Sequence, residues 1–143
     1  MSQGESPVQV RMRYHYRLMA HERTTRQRQA VRRALEATRT PMRAQEIHAA
    51  AARAAPGIGL ATVYRALKWL IETGDVVTVE LPGDTPRYEL AHHDHHHHFS
   101  CRSCGRVFEV DGCPGDLAKL APRGFAVEAH EVVLYGQCAG CLS

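Results

Sequence analysis

Residues 91–105, AHHDHHHHFSCRSCG, gather metal-ligating side chains densely: six of the chain's ten histidines lie between His92 and His98, and a C-x-x-C follows at once. A second C-x-x-C, Cys138 with Cys141, stands 34 positions beyond Cys104. Each pair is spaced to bite one ion, and four thiolates around Zn²⁺ make a closed tetrahedral site with no free position. Cys101, Cys104, Cys138 and Cys141 are therefore expected to hold a structural zinc that ties two distant segments together. Cysteines in such pairs suit a reducing compartment and a metal better than a disulfide scaffold. The fifth, Cys113, is the odd one out and reads as a plain thiol.

The histidines require a geometric argument. Along an extended segment successive side chains alternate sides. His96 and His98 would point one way, His95 and His97 the other, so one strand could feed two sites. Each site needs further ligands, and Glu89, Asp116 and His130 are candidates. Carboxylate and imidazole donors without a thiol suit Fe²⁺, Mn²⁺ or Zn²⁺ and exchangeable binding. The bland alternative is a solvated loop that scavenges metal. Against it, the run is internal, is interrupted by Asp94, and abuts a patterned strand.

The elements that must position these residues follow from periodicity. TTRQRQAVRRALEAT reads as a helix that Thr24 or Thr25 could cap, with Ala30, Val31, Ala34 and Leu35 on one face and arginines on the other. The arginine-rich stretch before it, residues 1–21, is weakly patterned and fits either a helix or a basic arm. MRAQEIHAAAARA is a second helix. In LATVYRALKWLIETG, Val63, Leu67, Leu70 and Ile71 recur at helical spacing, Trp69 falls toward the apolar face, and Gly74 supplies the stop. VVTVEL, PGDTP and RYEL then read as strand, five-residue turn, strand. Three helices and a hairpin are the order of a winged helix, whose third helix enters the DNA major groove. Thr62, Tyr64, Arg65 and Lys68 would face the DNA from that helix, and Arg26 from the first. After the histidines, RVFEV, GDLAKLA and FAVEAHEVVLY suggest a small α/β unit.

Charge divides the chain in the same way. Residues 1–75 carry 13 Lys and Arg against 6 Asp and Glu, and residues 76–143 carry 5 against 9. A basic front half suits a polyanion and an acidic, histidine-rich back half suits cations. No apolar run approaches a membrane span and no signal peptide is visible, so a cytoplasmic protein is expected. No nucleophile elbow, P-loop or dinucleotide fingerprint is present, so no catalytic set emerges.

Three segments resemble the ferric uptake regulator superfamily of bacterial metal-sensing repressors: TTRQRQAVRRAL, IGLATVYRAL, and DHHHHFSCRSCG with LYGQCAGC. The likeness covers roughly residues 22–143. It implies an α+β chain with a basic extension (1–21), a winged-helix DNA-binding domain (22–91) and a metal-binding dimerisation domain (92–143). It further implies a homodimer that represses from a palindromic operator when metal is bound. By position, the four paired cysteines match the structural zinc site. Glu89, His96 and His98 match a regulatory site at the hinge, and His95, His97, Asp116 and His130 match a site inside the dimerisation domain. Tyr64 and Arg65 match recognition-helix residues that contact DNA.

There are departures. Where many relatives place a further regulatory histidine, this chain has Pro41. Where zinc-sensing relatives place a cysteine, it has Leu90 and Ala91, and His92 or His93 could substitute. The missing cysteine, with Glu and His as donors, favours Fe²⁺ or Mn²⁺ as the sensed metal, with Zn²⁺ close behind because RTTRQRQAV and DHHHHFSCRSCG look most like zinc-sensing relatives. The rival readings are a zinc-dependent hydrolase or deaminase, which would need an open metal site beside a general base, and a metal-storage or chaperone protein. Neither rival accounts for the winged-helix pattern.

Overall fold

The computed structural model describes residues 7–91 and 94–142. Helix α1 (Pro7–Glu36) runs without a break through the segment expected to start it. Thr24 and Thr25 do not cap. Their hydroxyls donate to the carbonyls of Ala20 and His21, one turn back, and so spend their polarity inside the helix.

Strand β1 (Met42–Arg43) precedes α2 (Ala44–Ala51). The expected second helix thus loses its first two residues to a sheet, because Met42 and Arg43 pair with Tyr88 and Arg87. The Arg43 amide donates to Glu46 Oε2 at 2.6 Å, satisfying one of the free donors at the helix start. Helix α3 (Leu60–Glu72) buries Val63, Ala66, Leu67 and Leu70. Ile71, expected on that face, is 39% exposed. Trp69 is also a correction. It is 38% exposed and lies under the guanidinium of Arg28, whose carbon is 4.2 Å from the ring centroid. Gly74, at φ +79°, supplies the left-handed residue just after α3.

Strands β2 (Val76–Val79) and β3 (Arg87–Leu90) form the antiparallel hairpin, with a connection (80–86) longer than the five residues expected. The first sheet has the order β1-β3-β2. Val31, Leu35, Ile47, Val63, Leu67, Leu70 and Val76 make the core of this helical unit.

The second sheet joins β4 (His97–Cys101), β5 (Val107–Val110) and β6 (Val133–Gly136) in the order β5-β4-β6. Strand β4 is central, antiparallel to β5 and parallel to β6. GDLAKLA contributes only a 3-10 turn, Leu117–Leu120, and of FAVEAHEVVLY only the last residues pair. A small second core, Val79, Leu81 and Val107 with Val133 against it, packs the hairpin onto the second sheet. Among the described residues no helix is long and apolar enough to cross a membrane.

Candidate metal centres and nucleic-acid interface

Three groups of donor atoms converge, each group lying within 4.8 Å of one another. The first is Cys101, Cys104, Cys138 and Cys141. Cys101 ends β4, and the chain turns back at Gly105, whose φ of +71° and amide bond to the Cys101 carbonyl close the knuckle. The parallel pairing of β6 with β4 then delivers Cys138 and Cys141 alongside, with Cys104 and Cys138 sulfurs 3.8 Å apart. Backbone amides of Cys104 and Cys138 donate toward Cys101 and lower its thiol to about 6. Hydrogen bonding from Arg106 lowers Cys104. Cys141 is pushed up to about 12, first by its bond with Cys138 and then by burial. This spread is what a cluster of thiols shows when it can hold one shared negative charge cheaply and each further charge at rising cost.

The second group is Glu89, His96 and His98. Glu89 stands on β3, and the histidines on the segment that enters β4. Nε2 of His96 lies 2.9 Å from Glu89 Oε1, and Nε2 of His98 lies 3.2 Å from Oε2. Nδ1 of His96 is 3.2 Å from the Asp94 carbonyl, which can only accept. The Asp94 carbonyl and the Glu89 carboxylate both accept, so His96 bonded to the two carries a proton on each ring nitrogen, and a metal at Nε2 would take the place of the proton shared with Glu89. Nδ1 of His98 is buried without a hydrogen-bond partner, with Glu131 Oε1 3.5 Å away. Burial raises the Glu89 carboxyl, but the bonds from His98 and His96 outweigh it and leave it below its ordinary value. Burial likewise opposes charge on His96, and the Asp94 carbonyl and Glu89 carry it above its ordinary value. Glu109, also close enough to raise His96, is paired with Arg39 at 3.1 Å. His92 and His93 lie outside the described residues.

The third group is His95, His97, Cys113 and His130. The alternation read from the sequence holds here, since His95 and His97 share the side opposite His96 and His98. Asp116 does not join them. Its carboxylate accepts from the Ala118 amide and caps the 3-10 turn, and its side chain is exposed beside Lys119. The residue that takes its place in the cluster is Cys113, 3.1 Å from Nε2 of His130. Spacing gave no signal for this, because the turn after Cys113 and the return of the chain to His130 decide it. Burial, and then the neighbouring His95 and His130, lower His97 below its ordinary value.

On the other unit, Tyr64, Arg65 and Lys68 are exposed on α3, and Arg65 donates to the Thr62 hydroxyl at 2.9 Å. A groove between α1 and α3 is lined by Arg23, Gln27, Arg28, Thr62 and Arg65. Arg26 lines a second groove, toward Pro56, Gly57 and Ile58. Arg23 and Arg28 share the first groove with Thr62 and Arg65, a grouping that the pattern of a basic helix face does not single out.

Residues 20–135 match the model of the Ferric uptake regulator family. The chain belongs to that family. The "Ferric uptake regulation protein" of Campylobacter jejuni is 31% identical over 122 residues, covering 82% of this chain and 78% of that protein. The "Zinc uptake regulation protein" of Mycobacterium tuberculosis is 36% identical over 124 residues, covering 85% of this chain and 95% of that one. The solved structure of the Helicobacter pylori ferric uptake regulator superposes with a TM-score of 0.67 at 22% identity, covering 100% of this chain and 98% of the other, a likeness of fold. This family member is a metal-dependent, DNA-binding, dimeric transcriptional regulator of metal homeostasis, not an enzyme. The hydrolase and deaminase readings end there.

Proposed function

We propose that this regulator represses metal-homeostasis genes from a palindromic operator in the cytoplasm, and that Glu89, His96 and His98 are its regulatory ligands. Residues 22–91 act as the DNA-binding unit and 92–143 as the dimerisation unit, with residues 1–21 a basic extension. The observation that carries the reading is the convergence of Glu89, from the wing hairpin, with two histidines from the start of the other sheet. No other described cluster joins side chains from both units.

The donors fit a divalent ion. His96 and His98 turn Nε2 inward, and Glu89 supplies two oxygens. Two imidazoles and one carboxylate form a set that Fe²⁺ and Mn²⁺ accept with positions left for further ligands, and Zn²⁺ fits next best. An ion there supplies positive charge that Glu89 otherwise draws from His96. Held together around such an ion, Glu89, His96 and His98 would fix the wing relative to the dimerisation unit and so set the spacing of two α3 helices on successive major-groove faces. A differential of about 5.5 kcal/mol between the two arrangements moves a 1:99 population to 99:1. Thr62, Tyr64, Arg65, Lys68 and Arg26 face the DNA. Cys101, Cys104, Cys138 and Cys141 hold the structural zinc, a closed donor set that leaves no exchangeable position. The exposed Phe125, Val127, Leu134 and Tyr135 supply apolar surface for the second protomer.

Gel-shift binding to the protein's own promoter, with Fe²⁺, Mn²⁺ and Zn²⁺ added separately, tests the reading. Retardation that depends on Fe²⁺ or Mn²⁺ is expected. Equal retardation with and without every metal would overturn it.

A further inference from the structure

We propose that Cys113, not Asp116, completes the dimerisation-domain metal site that the family resemblance assigns to His95, His97 and His130, and that this thiolate makes the site zinc-selecting in this chain. The donors stand slightly closer together than a bound ion would hold them. Tetrahedral zinc, with bonds of about 2.0–2.3 Å, keeps its donors roughly 3.3–3.8 Å apart. Nε2 of His95 lies 3.0 Å from Nε2 of His130 and 3.2 Å from Nε2 of His97, and the Cys113 sulfur lies 3.1 Å from Nε2 of His130. All four donor atoms fall within 4.8 Å of one another, so a small outward shift admits one ion.

The chain builds this convergence from three places. His95 and His97 come from the start of β4, and β5 leads into the turn that carries Cys113. His130 arrives on the segment that precedes β6, where the Val132 carbonyl accepts from the His98 amide. Asp116 is committed elsewhere, as the cap of the 3-10 turn. A thiolate therefore stands where a carboxylate was expected, and the donor set becomes one sulfur and up to three imidazoles. Sulfur with imidazole suits zinc and disfavours Mn²⁺ and Fe²⁺, which already rank below Zn²⁺ in affinity for such donors. On ligation the Cys113 thiol releases its proton to solvent and no electron moves.

His97 is the conditional member. The Val132 amide donates to its Nδ1 at 3.1 Å, which places the neutral ring's proton on Nε2. Ligation by His97 requires the ring to turn and release that amide, so His95, Cys113 and His130 bind first.

Cobalt is the probe, applied to full-length protein carrying one zinc per chain, with retention of that zinc followed by native mass spectrometry. Titration with Co²⁺ to saturation should produce a near-ultraviolet thiolate-to-cobalt charge-transfer band. The band should vanish in Cys113→Ser and in His130→Ala, and persist in Asp116→Ala. One equivalent of Zn²⁺ should abolish it, and excess Mn²⁺ should not. Glu89→Ala should keep the band, so failure of the regulatory reading and failure of this one are told apart. No band at saturation with zinc retained, a band unchanged by Cys113→Ser, or displacement by Mn²⁺ as effective as by Zn²⁺ would overturn the proposal.

Discussion

Arg87 is 1% exposed and reaches both halves of the molecule. Its Nε donates to Asp84 Oδ2 at 2.7 Å, one terminal nitrogen to the Pro41 carbonyl, and the other to the carbonyl of Gly105 beside the cysteine knuckle. Burial raises the Asp84 carboxyl, and Arg87 and then Arg43 bring it below its ordinary value. Without Arg87, the half-buried Asp84 keeps Arg43 and the Thr85 amide, but the Pro41 and Gly105 carbonyls lose their donor, a cost of about 1–3 kcal/mol. Arg87→Met should lower stability by about that amount in chemical denaturation, and no measurable loss would contradict the strut. Arg87 has no prominence along the chain, because nothing in RYEL distinguishes an inward arginine from an outward one. Cys113 was hidden for a related reason: its partners arrive through a turn with no repeat or motif. The four paired cysteines and the alternating histidines were legible because ligand spacing and strand pleat are local properties.

Glu89 and His96 also give a pH signature at this scale. Glu89 is held below its ordinary 4.5, so its contribution to stability is present above 4.5 and lost as pH falls through the lowered value. His96 is held above its ordinary 6.5, so its contribution is full below 6.5 and lost as pH rises through the raised value. In protein carrying only its cysteine-bound zinc, the stability difference between wild type and Glu89→Gln should be largest between these limits and shrink on the alkaline side. Thermal unfolding across pH measures it, and a difference that grows toward alkaline pH would contradict the pairing.

At the scale of elements, α3, the hairpin and the second half of α1 were readable from periodicity, whereas the start of α1 and strand β1 were not. The threonines that looked like caps sit inside α1 with their hydroxyls bonded one turn back. The two residues of β1 are a strand only because β3 lies beside them, a long-range pairing that no window along the chain contains. Trp69 belongs to the helix edge, where the stem and charge of Arg28 cover a ring that the core does not. On the proposed reading, Arg65 on the exposed face of α3 meets phosphate and Tyr64 meets base edges. Arg65→Ala should weaken operator and random DNA alike and reduce the salt slope by about 1. Tyr64→Ala should mainly narrow the difference between the two sequences. Filter binding across salt concentrations checks both, and two unchanged profiles would remove α3 from the interface.

At the scale of the whole molecule, the winged-helix unit has a broad apolar core, and the described part of the second unit has little of its own. Val107 and Val133 pack against Val79 and Leu81 of the hairpin segment, so the seam between the units is itself a core. Movement of the wing must therefore work against that packing, and Glu89 beside His96 and His98 lies where a bound ion can decide it. The order of the two units was legible in the charge division and the motifs, but the seam was not, because its residues come from three distant segments. Fluorescence anisotropy of labelled operator, followed through an Fe²⁺ or Mn²⁺ titration, tests the switch most directly. Wild type should gain anisotropy with metal, and Glu89→Ala should stay flat at concentrations that saturate wild type while keeping its dimer and its cysteine-bound zinc. A Glu89→Ala curve that overlays the wild-type curve would contradict the account.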